Sequence, residues 1–311
     1  MKRFTLPDEL IFITNRNAVQ KSSSASMEGK YCVLTGATSG VGLAALHRLA
    51  RGGASIMMVC RNPEKAERVR NAVNSKYDAP IEITTADFRS LDEVRKAADS
   101  IMAQCPRIDV LINCAGLYMT TVTRTDEGLE AVFCVNHLAS FLLTHLLLPR
   151  LKESTPSRII QVNSEGHRFN GLDPDDINWH KRRYRGLKGY GASKTAQLMT
   201  VWEMAEILKG TGVTINAMHP GDVKTNIGQN NGWLYRFYSK HITGRFLKDP
   251  VISGEAIYYL AADPEMQNVS GKFYHLTVEE KPAKHALDRK MGKRIYDLSM
   301  QMTGLTNGLQ S

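Results

Sequence analysis

At 311 residues, 42% of them hydrophobic and 23% charged, the chain is long enough for one large or two small α/β domains and too apolar for disorder over most of its length. Forty basic against 31 acidic residues give a net charge of +9, and much of that excess is local: 180–188 (HKRRYRGLK) holds five Lys/Arg and no acid, and 281–294 holds six Lys/Arg and one Asp. Those stretches read either as solvated surface or as contacts to an anion such as a cofactor phosphate or a lipid headgroup; without a recognisable nucleic-acid module, no nucleic-acid partner is expected.

Residues 1–27 close on the Ser-rich, polar KSSSASMEG and read as an extension outside the core, with a single domain following from 28 to 311. Asp8 and Glu9 interrupt any apolar signal-peptide segment, so export is not expected. From Lys30 onward, apolar runs at 31–35, 55–60, 81–86, 108–113, 158–163, 213–218 and 272–276 alternate with amphipathic stretches such as 64–75, 90–104 and 126–148. Several runs are apolar at nearly every position, as strands buried on both faces must be. The alternation predicts an α/β fold, a doubly wound parallel sheet of Rossmann type in a single domain. The longest apolar run, Leu138–Pro149, is too short to span a bilayer and contains His145, so it reads as a buried helix of a soluble, cytoplasmic or otherwise intracellular protein. The five cysteines, Cys32, Cys60, Cys105, Cys114 and Cys134, show neither a CxxC pair nor metal-ligand spacing; they read as buried free thiols in a reducing compartment, and no metal is expected.

The first apolar run leads into TGATSGVG, Thr35–Gly42, with glycines at 36, 40 and 42 ahead of a helical segment. Gly36, Gly40 and Gly42, with Thr38, Ser39 and Val41 between them, permit a tight strand-to-helix turn. Their backbone N–H groups approach a pyrophosphate at the positive end of the helix. Three glycines also make ordinary turns; the position between first strand and first helix is what favours a nucleotide. After the second run stand Cys60 and Arg61, where NAD binding calls for a carboxylate. A guanidinium there suits a 2′-phosphate, so NADP(H) is expected ahead of NAD(H), the alternative being a solvent-facing arginine that opens the next helix. Asp87, after the third run, is placed either to accept from an adenine amino group or simply to start a helix.

A tyrosine and a lysine four residues apart occur twice, as Tyr184/Lys188 and Tyr190/Lys194. The first pair lies in the basic segment bounded by Gly186 and Gly189 and reads as a mobile surface loop. The second opens a long stretch free of Gly and Pro after Gly191, so it belongs to the first turn of a rigid helix, the platform that acid/base geometry requires. A phenol with pKa near 10 is a poor base at neutral pH; lowering it by ~3 units corresponds to roughly 4 kcal/mol, which a neighbouring ammonium supplies.

TGATSGVG, NCAG (113–116), VNHLASFLLT (135–144), VNS (162–164), YGASK (190–194) and HPGDVKT (219–225) follow in order at suitable spacings. With them, the chain from about Lys30 onward resembles the short-chain dehydrogenase/reductase family. CRNPEKAE, the long gap after VNSEGH and the tail KRIYDLSMQMTGL make it most similar to the branch containing retinol dehydrogenases and related lipophilic-carbonyl reductases. The resemblance implies that Tyr190 protonates a carbonyl oxygen, Ser164 hydrogen-bonds that oxygen, Asn136 holds a proton-relay water and Lys194 holds the nicotinamide ribose. It implies cofactor contacts from Asn113, Ala115, Gly116, Pro220, Gly221 and Val223, with Thr225 at the nicotinamide amide or the phosphates, and a structural His219. It also implies homo-oligomers built through a helix at 126–149. Cys114 and Asn163 depart from the family, which often has Asn and Ser there. The membrane-anchoring N-terminal segment of some relatives is not read in this sequence, so no membrane attachment beyond a peripheral contact is expected.

Residues 226–250 carry Trp233, Leu234, Tyr235, Phe237, Tyr238 and Phe246, which suit either a lid over an apolar substrate or a packed helix or dimer contact. The 165–189 segment, with Phe169 and Trp179, would form the opposite wall. The expected function is an NADP(H)-dependent oxidoreductase interconverting a lipophilic alcohol and its aldehyde or ketone. The alternatives are reduction of an activated C=C bond and a non-catalytic cofactor-sensing or scaffold protein.

Overall fold

A computed structural model describes residues 18–221, 223 and 249–305. Eight strands, β1 (Tyr31–Thr35), β2 (Ser55–Cys60), β3 (Ile81–Thr85), β4 (Val110–Asn113), β5 (Ser157–Val162), β6 (Val213–His219), β7 (Phe273–His275) and β8 (Val278–Glu279), form one sheet. Their order is β3-β2-β1-β4-β5-β6-β7-β8, parallel throughout except for the β7–β8 pair. The chain winds outward from β1 to β3, then returns to place β4 on the other side of β1. This reversal opens a crevice beyond the carboxyl ends of β1 and β4, where ligands bind in such sheets.

Strand residues alternate between two apolar layers. Val33, Leu111, Ile159 and Ile215 point into one, with α3 (Leu91–Gln104), α4 (Ala131–Glu153), α5 (Gly186–Ile207) and α7 (Arg289–Met302). Leu34, Ile112, Ile160 and Met218 point into the other, with α1 (Gly40–Arg51), α2 (Pro63–Tyr77) and α6 (Val251–Ala262). Both faces of the central strands are therefore dry, which accounts for their nearly unbroken apolar runs.

Three expectations change. Residues 18–27 do not lie outside the core as an extension. Met27 is buried in the core, Lys21 N–H donates to Thr277 Oγ1 at 2.8 Å, and Arg48 Nη2 donates to Ser23 O at 2.7 Å. The polar segment that suggested an extension finds its hydrogen-bond partners on the body of the domain. The helix expected at 126–148 runs from Ala131 to Glu153, with a π turn at Cys134–Leu138. It is the one helix among the described residues long and apolar enough to cross a membrane, and it is buried within the protein. Its apolar side meets α7 of the same chain, His145 Nε2 lying 3.0 Å from Tyr296 Oη and His137 Nε2 2.7 Å from Ser299 Oγ.

The segment around Tyr184 is the third change. α5 begins at Gly186, so Lys188 is already helical and Tyr190 stands in the second turn. Tyr184 packs edge-on against Trp179, ring centroids 5.2 Å apart, and its hydroxyl donates to Glu130 Oε1 at 3.3 Å. A Cβ on Gly189 would meet the Tyr184 hydroxyl at 2.4 Å. That glycine marks close packing rather than a mobile loop.

Candidate active site

The switch-point crevice is a cleft of about 860 Å³. Its floor is the glycine turn. Gly36 has φ +70°, and a Cβ there would lie 2.8 Å from Ala115 Cα; one on Gly42 would lie 2.3 Å from the Gly36 carbonyl oxygen. Only hydrogen fits at both positions. α1 starts without a side-chain cap from Ser39 and with no acid in its first turn, so its N-terminal N–H groups face the cleft uncompensated. Sequence reasoning missed Thr35: its buried hydroxyl accepts from the N–H groups of Cys114 and Ala115, both at 2.9 Å, and ties the two loops of the switch point together. A polar residue closing an apolar strand was the available signal.

At one end of the cleft stand Arg61, Asn62, Lys65, Asp87 and Arg89. Burial alone would raise the Asp87 carboxyl; hydrogen bonds from Arg89, at 2.7 and 3.1 Å to Oδ2, and the charge of Arg61 outweigh it and hold the group below its ordinary value. Arg89 and Lys65 add two cations to the one the sequence pointed to.

Towards the other end, Ser164, Tyr190 and Lys194 line the wall. Ser164 stands two residues past the end of β5, and its Oγ accepts from Gly166 N–H at 3.0 Å. A Cβ on Gly166 would lie 2.4 Å from Tyr190 Cε1 and 3.3 Å from Ser164 Oγ, so ring and hydroxyl meet over this one glycine. Tyr118 stands edge-on to Tyr190, centroids 5.8 Å apart. One turn along α5, Lys194 is 3% exposed; its Nζ donates to Val162 O at 2.9 Å and lies 5.9 Å from the Tyr190 ring centroid. Burial pulls its ammonium down to about 8, opposed by Cys114.

Of the remaining expected site residues, Thr38, Gly40, Val41, Gly116, Pro220, Gly221 and Val223 also line the cleft. Asn113 and Asn136 stand behind the wall. Asn113 donates to Thr144 Oγ1 at 2.9 Å and pins β4 to α4. Asn136, in the π turn, accepts from Leu117 N–H at 2.6 Å and donates to Leu117 O and Ser193 Oγ at 2.9 Å each, which joins the β4 loop to α5. Gln197, which sequence reasoning passed over, donates to Asn136 O at 3.0 Å and accepts from Asn163 Nδ2 at 2.9 Å. Thr225 and the aromatic residues 233–246 lie outside the described residues.

Fold and site together define a dinucleotide-binding oxidoreductase architecture: a doubly wound sheet, a glycine turn at its switch point, and a tyrosine–lysine turn of helix across the same cleft. The chain belongs to the short-chain dehydrogenase family, whose sequence profile matches residues 30–232, and within it to the retinol dehydrogenase branch. Human retinol dehydrogenase 13 is 35% identical over 288 residues, covering 91% of this chain and 87% of its own length. Mouse retinol dehydrogenase 14 is 35% identical over 292 residues, covering 90% and 87%. Among solved structures, an uncharacterised protein from Mycobacterium paratuberculosis superposes with a TM-score of 0.74 at 28% identity, covering 92% of this chain and 98% of that one. A Shigella flexneri short chain dehydrogenase complexed with NADP shares the fold, with a TM-score of 0.66 at 21% identity and coverage of 82% and 99%. The nicotinamide cofactor that the family uses fits what is present: a cradle that any Cβ would fill, an uncapped helix terminus and a cationic far end.

Proposed function

We propose that the protein is an NADP(H)-dependent oxidoreductase interconverting a lipophilic alcohol and its aldehyde or ketone, with Tyr190 as acid/base. The observation that carries this reading is the meeting of the Tyr190 ring and the Ser164 hydroxyl over Gly166, in the cleft that starts at the glycine turn. A bound nicotinamide cofactor supplies the hydride. In the reductive direction the Tyr190 phenol gives its proton to the carbonyl oxygen, and in the oxidative direction it takes that proton back. Ser164 Oγ accepts from Gly166 N–H, which leaves its own proton to be donated to the same oxygen. The Lys194 ammonium favours the phenolate form of Tyr190 and would hold the cofactor's ribose. With its amide committed to Leu117 and Ser193, Asn136 serves by fixing the π turn against the catalytic helix.

Arg61 and Lys65 support NADP(H) over NAD(H), since β2 ends at Cys60 without the carboxylate that a 2′-hydroxyl would need. Leu117, Tyr118 and Val135 support an apolar substrate, as do relatives named for retinol. We read the protein as soluble and intracellular. At the cleft mouth Phe169 and Leu187 are exposed beside exposed Arg183, Arg185 and Lys188, which supports peripheral contact with a lipid surface.

The test is NADPH and NADH oxidation by the purified protein against aliphatic, aromatic, retinoid and steroid carbonyls, with product analysis. Alcohol formation with NADPH that disappears in Tyr190→Phe is the expected result. A saturated ketone as product would mean C=C reduction instead, and turnover unaffected by Tyr190→Phe would overturn the mechanism.

A further inference from the structure

Beyond the hydride-transfer site, a second set of side chains converges at the carboxyl edge of the sheet. β6 and β7 run parallel with His219 opposite His275 in their register, so both imidazoles leave the sheet on one face, ring centroids 5.1 Å apart. Glu165 comes from the turn after β5, the next strand over. One carboxylate oxygen of Glu165 and one nitrogen of each imidazole all lie within 4.8 Å of one another.

The hydrogen bonding around this point is incomplete on the protein side. His219 is 5% exposed, yet neither of its ring nitrogens has a hydrogen-bond partner among the described residues, and Glu165 Oε1 has none either. A neutral imidazole carries one donor and one acceptor, and leaving both unmet in a buried position calls for an explanation. The other Glu165 oxygen accepts from Arg168 Nε, while Arg168 Nη2 reaches Glu280 Oε1 at 2.6 Å. Two carboxylates thus share one guanidinium, with side-chain exposures of 13%, 1% and 2% for Glu165, Glu280 and Arg168. The second oxygen of Glu280 lies 4.0 Å from His275 Nδ1. A carboxylate behind a histidine is the arrangement that orients an imidazole towards a metal.

We propose that Glu165, His219 and His275 bind one divalent transition-metal ion of the zinc class. Two imidazole nitrogens and one carboxylate oxygen form a donor set that zinc accepts, with a fourth position left for water or another ligand. Zinc–nitrogen and zinc–oxygen bonds of about 2.0–2.2 Å put tetrahedral donors roughly 3.3–3.6 Å apart, so the side chains close by little more than an ångström from their present spread. His219 would gain the partner it lacks. Glu165 and His219 both line the cleft, so the ion would sit in its wall and join the ends of β5, β6 and β7 next to Ser164. Cysteine spacing could not reveal such a site, because its ligands are spread over more than a hundred residues and no two share a strand.

The experiment is equilibrium dialysis of the full chain, first stripped with chelator, against Zn²⁺ and then Co²⁺, with metal analysis and visible absorption. Expected are one ion per chain, a cobalt spectrum typical of four or five ligands, and loss of both in folded His275→Gln and Glu165→Gln. Glu280→Gln is expected to weaken binding by about 10–100-fold. Less than one ion per chain in excess Zn²⁺ would overturn the proposal. So would His275→Gln and His219→Gln proteins that melt cooperatively and hold the ion as tightly as the parent. Should those variants fail to fold, X-ray absorption of the zinc-loaded parent decides: scattering from two imidazoles is expected, and its absence refutes the site. None of these readouts involves turnover, so the result stands apart from the proposed oxidoreductase activity.

Discussion

Asn163 holds α5 by its backbone: its Nδ2 donates to the Lys194 carbonyl oxygen at 2.9 Å, while its Oδ1 accepts from Ser164 N–H at 2.7 Å. One side chain thus spans the two elements that carry the serine and the lysine, at a position where the family often has Ser. A shorter hydroxyl cannot make both contacts together with the bond to Gln197 Oε1. Asn163→Ala should destabilise the protein by about 1–3 kcal/mol, the cost of leaving buried donors and acceptors unpaired. It should lower kcat more than it changes KM, because what slips is the alignment of Ser164 with Tyr190. Chemical denaturation beside steady-state kinetics measures both.

The two tyrosines should separate cleanly. Tyr190→Phe is expected to cost 10²–10⁴-fold in kcat, roughly the contribution of a positioned acid/base, with NADPH affinity retained. Tyr184→Phe removes a hydroxyl that only supports Glu130, whose carboxylate also caps the start of α4 through Val132 and Phe133 N–H. It should leave turnover intact and lower stability by about 1 kcal/mol. Turnover assays and thermal melts on both variants check the pair.

Lys194 sets a pH dependence in a defined direction. Burial lowers its pKa in the folded protein from 10.5 to about 8, so between those values the unfolded chain binds the extra proton. Stability should therefore rise as pH climbs through that window, as the cost of burying a charged lysine is relieved. Activity should move the opposite way: loss of the ammonium above pH of about 8 removes the charge that favours the Tyr190 phenolate. The kcat/KM profile of the free enzyme should show an alkaline limb in that region, absent in Lys194→Met, whatever activity that variant keeps.

Cofactor choice should depend on the cations at the cleft's far end. Arg61→Ala removes a charge-assisted contact of about 1.5–3 kcal/mol to a 2′-phosphate, so NADPH should bind roughly 10–100-fold more weakly and NADH nearly unchanged. Fluorescence titration with both nucleotides checks the difference.

What the sequence made legible follows from how local each signal is. Seven strands and the glycine turn were readable because burial on both faces and a turn without Cβ atoms leave marks within a few residues. β8 has only two residues and no periodicity to read. Gly186 and Gly189 pointed to a loop, yet they serve the close approach of α5 to Met119 and Tyr118 and to Tyr184 respectively, contacts that exist only after folding. The supporting residues Thr35 and Gln197 are polar side chains whose partners come from other elements; no spacing announces them. The Glu165, His219 and His275 cluster is the extreme case, assembled by sheet order alone.

Gly166 offers the sharpest test of the site's geometry. It is buried in the turn after β5, and a methyl group there would come within 2.4 Å of Tyr190 Cε1, so the ring must move. Tyr118 stands against the same ring and limits where it can go. A displacement of ~1 Å from productive geometry can cost about 10²-fold in rate. Gly166→Ala should therefore lose kcat on that scale, while the glycine turn at Gly36–Gly42, on a different strand, continues to bind NADPH. Rapid-quench turnover together with nucleotide titration distinguishes this from unfolding, since an unfolded variant would lose both. Retained kcat in Gly166→Ala would mean that the tyrosine ring does not need its present seat, and with it the acid/base assignment would fall.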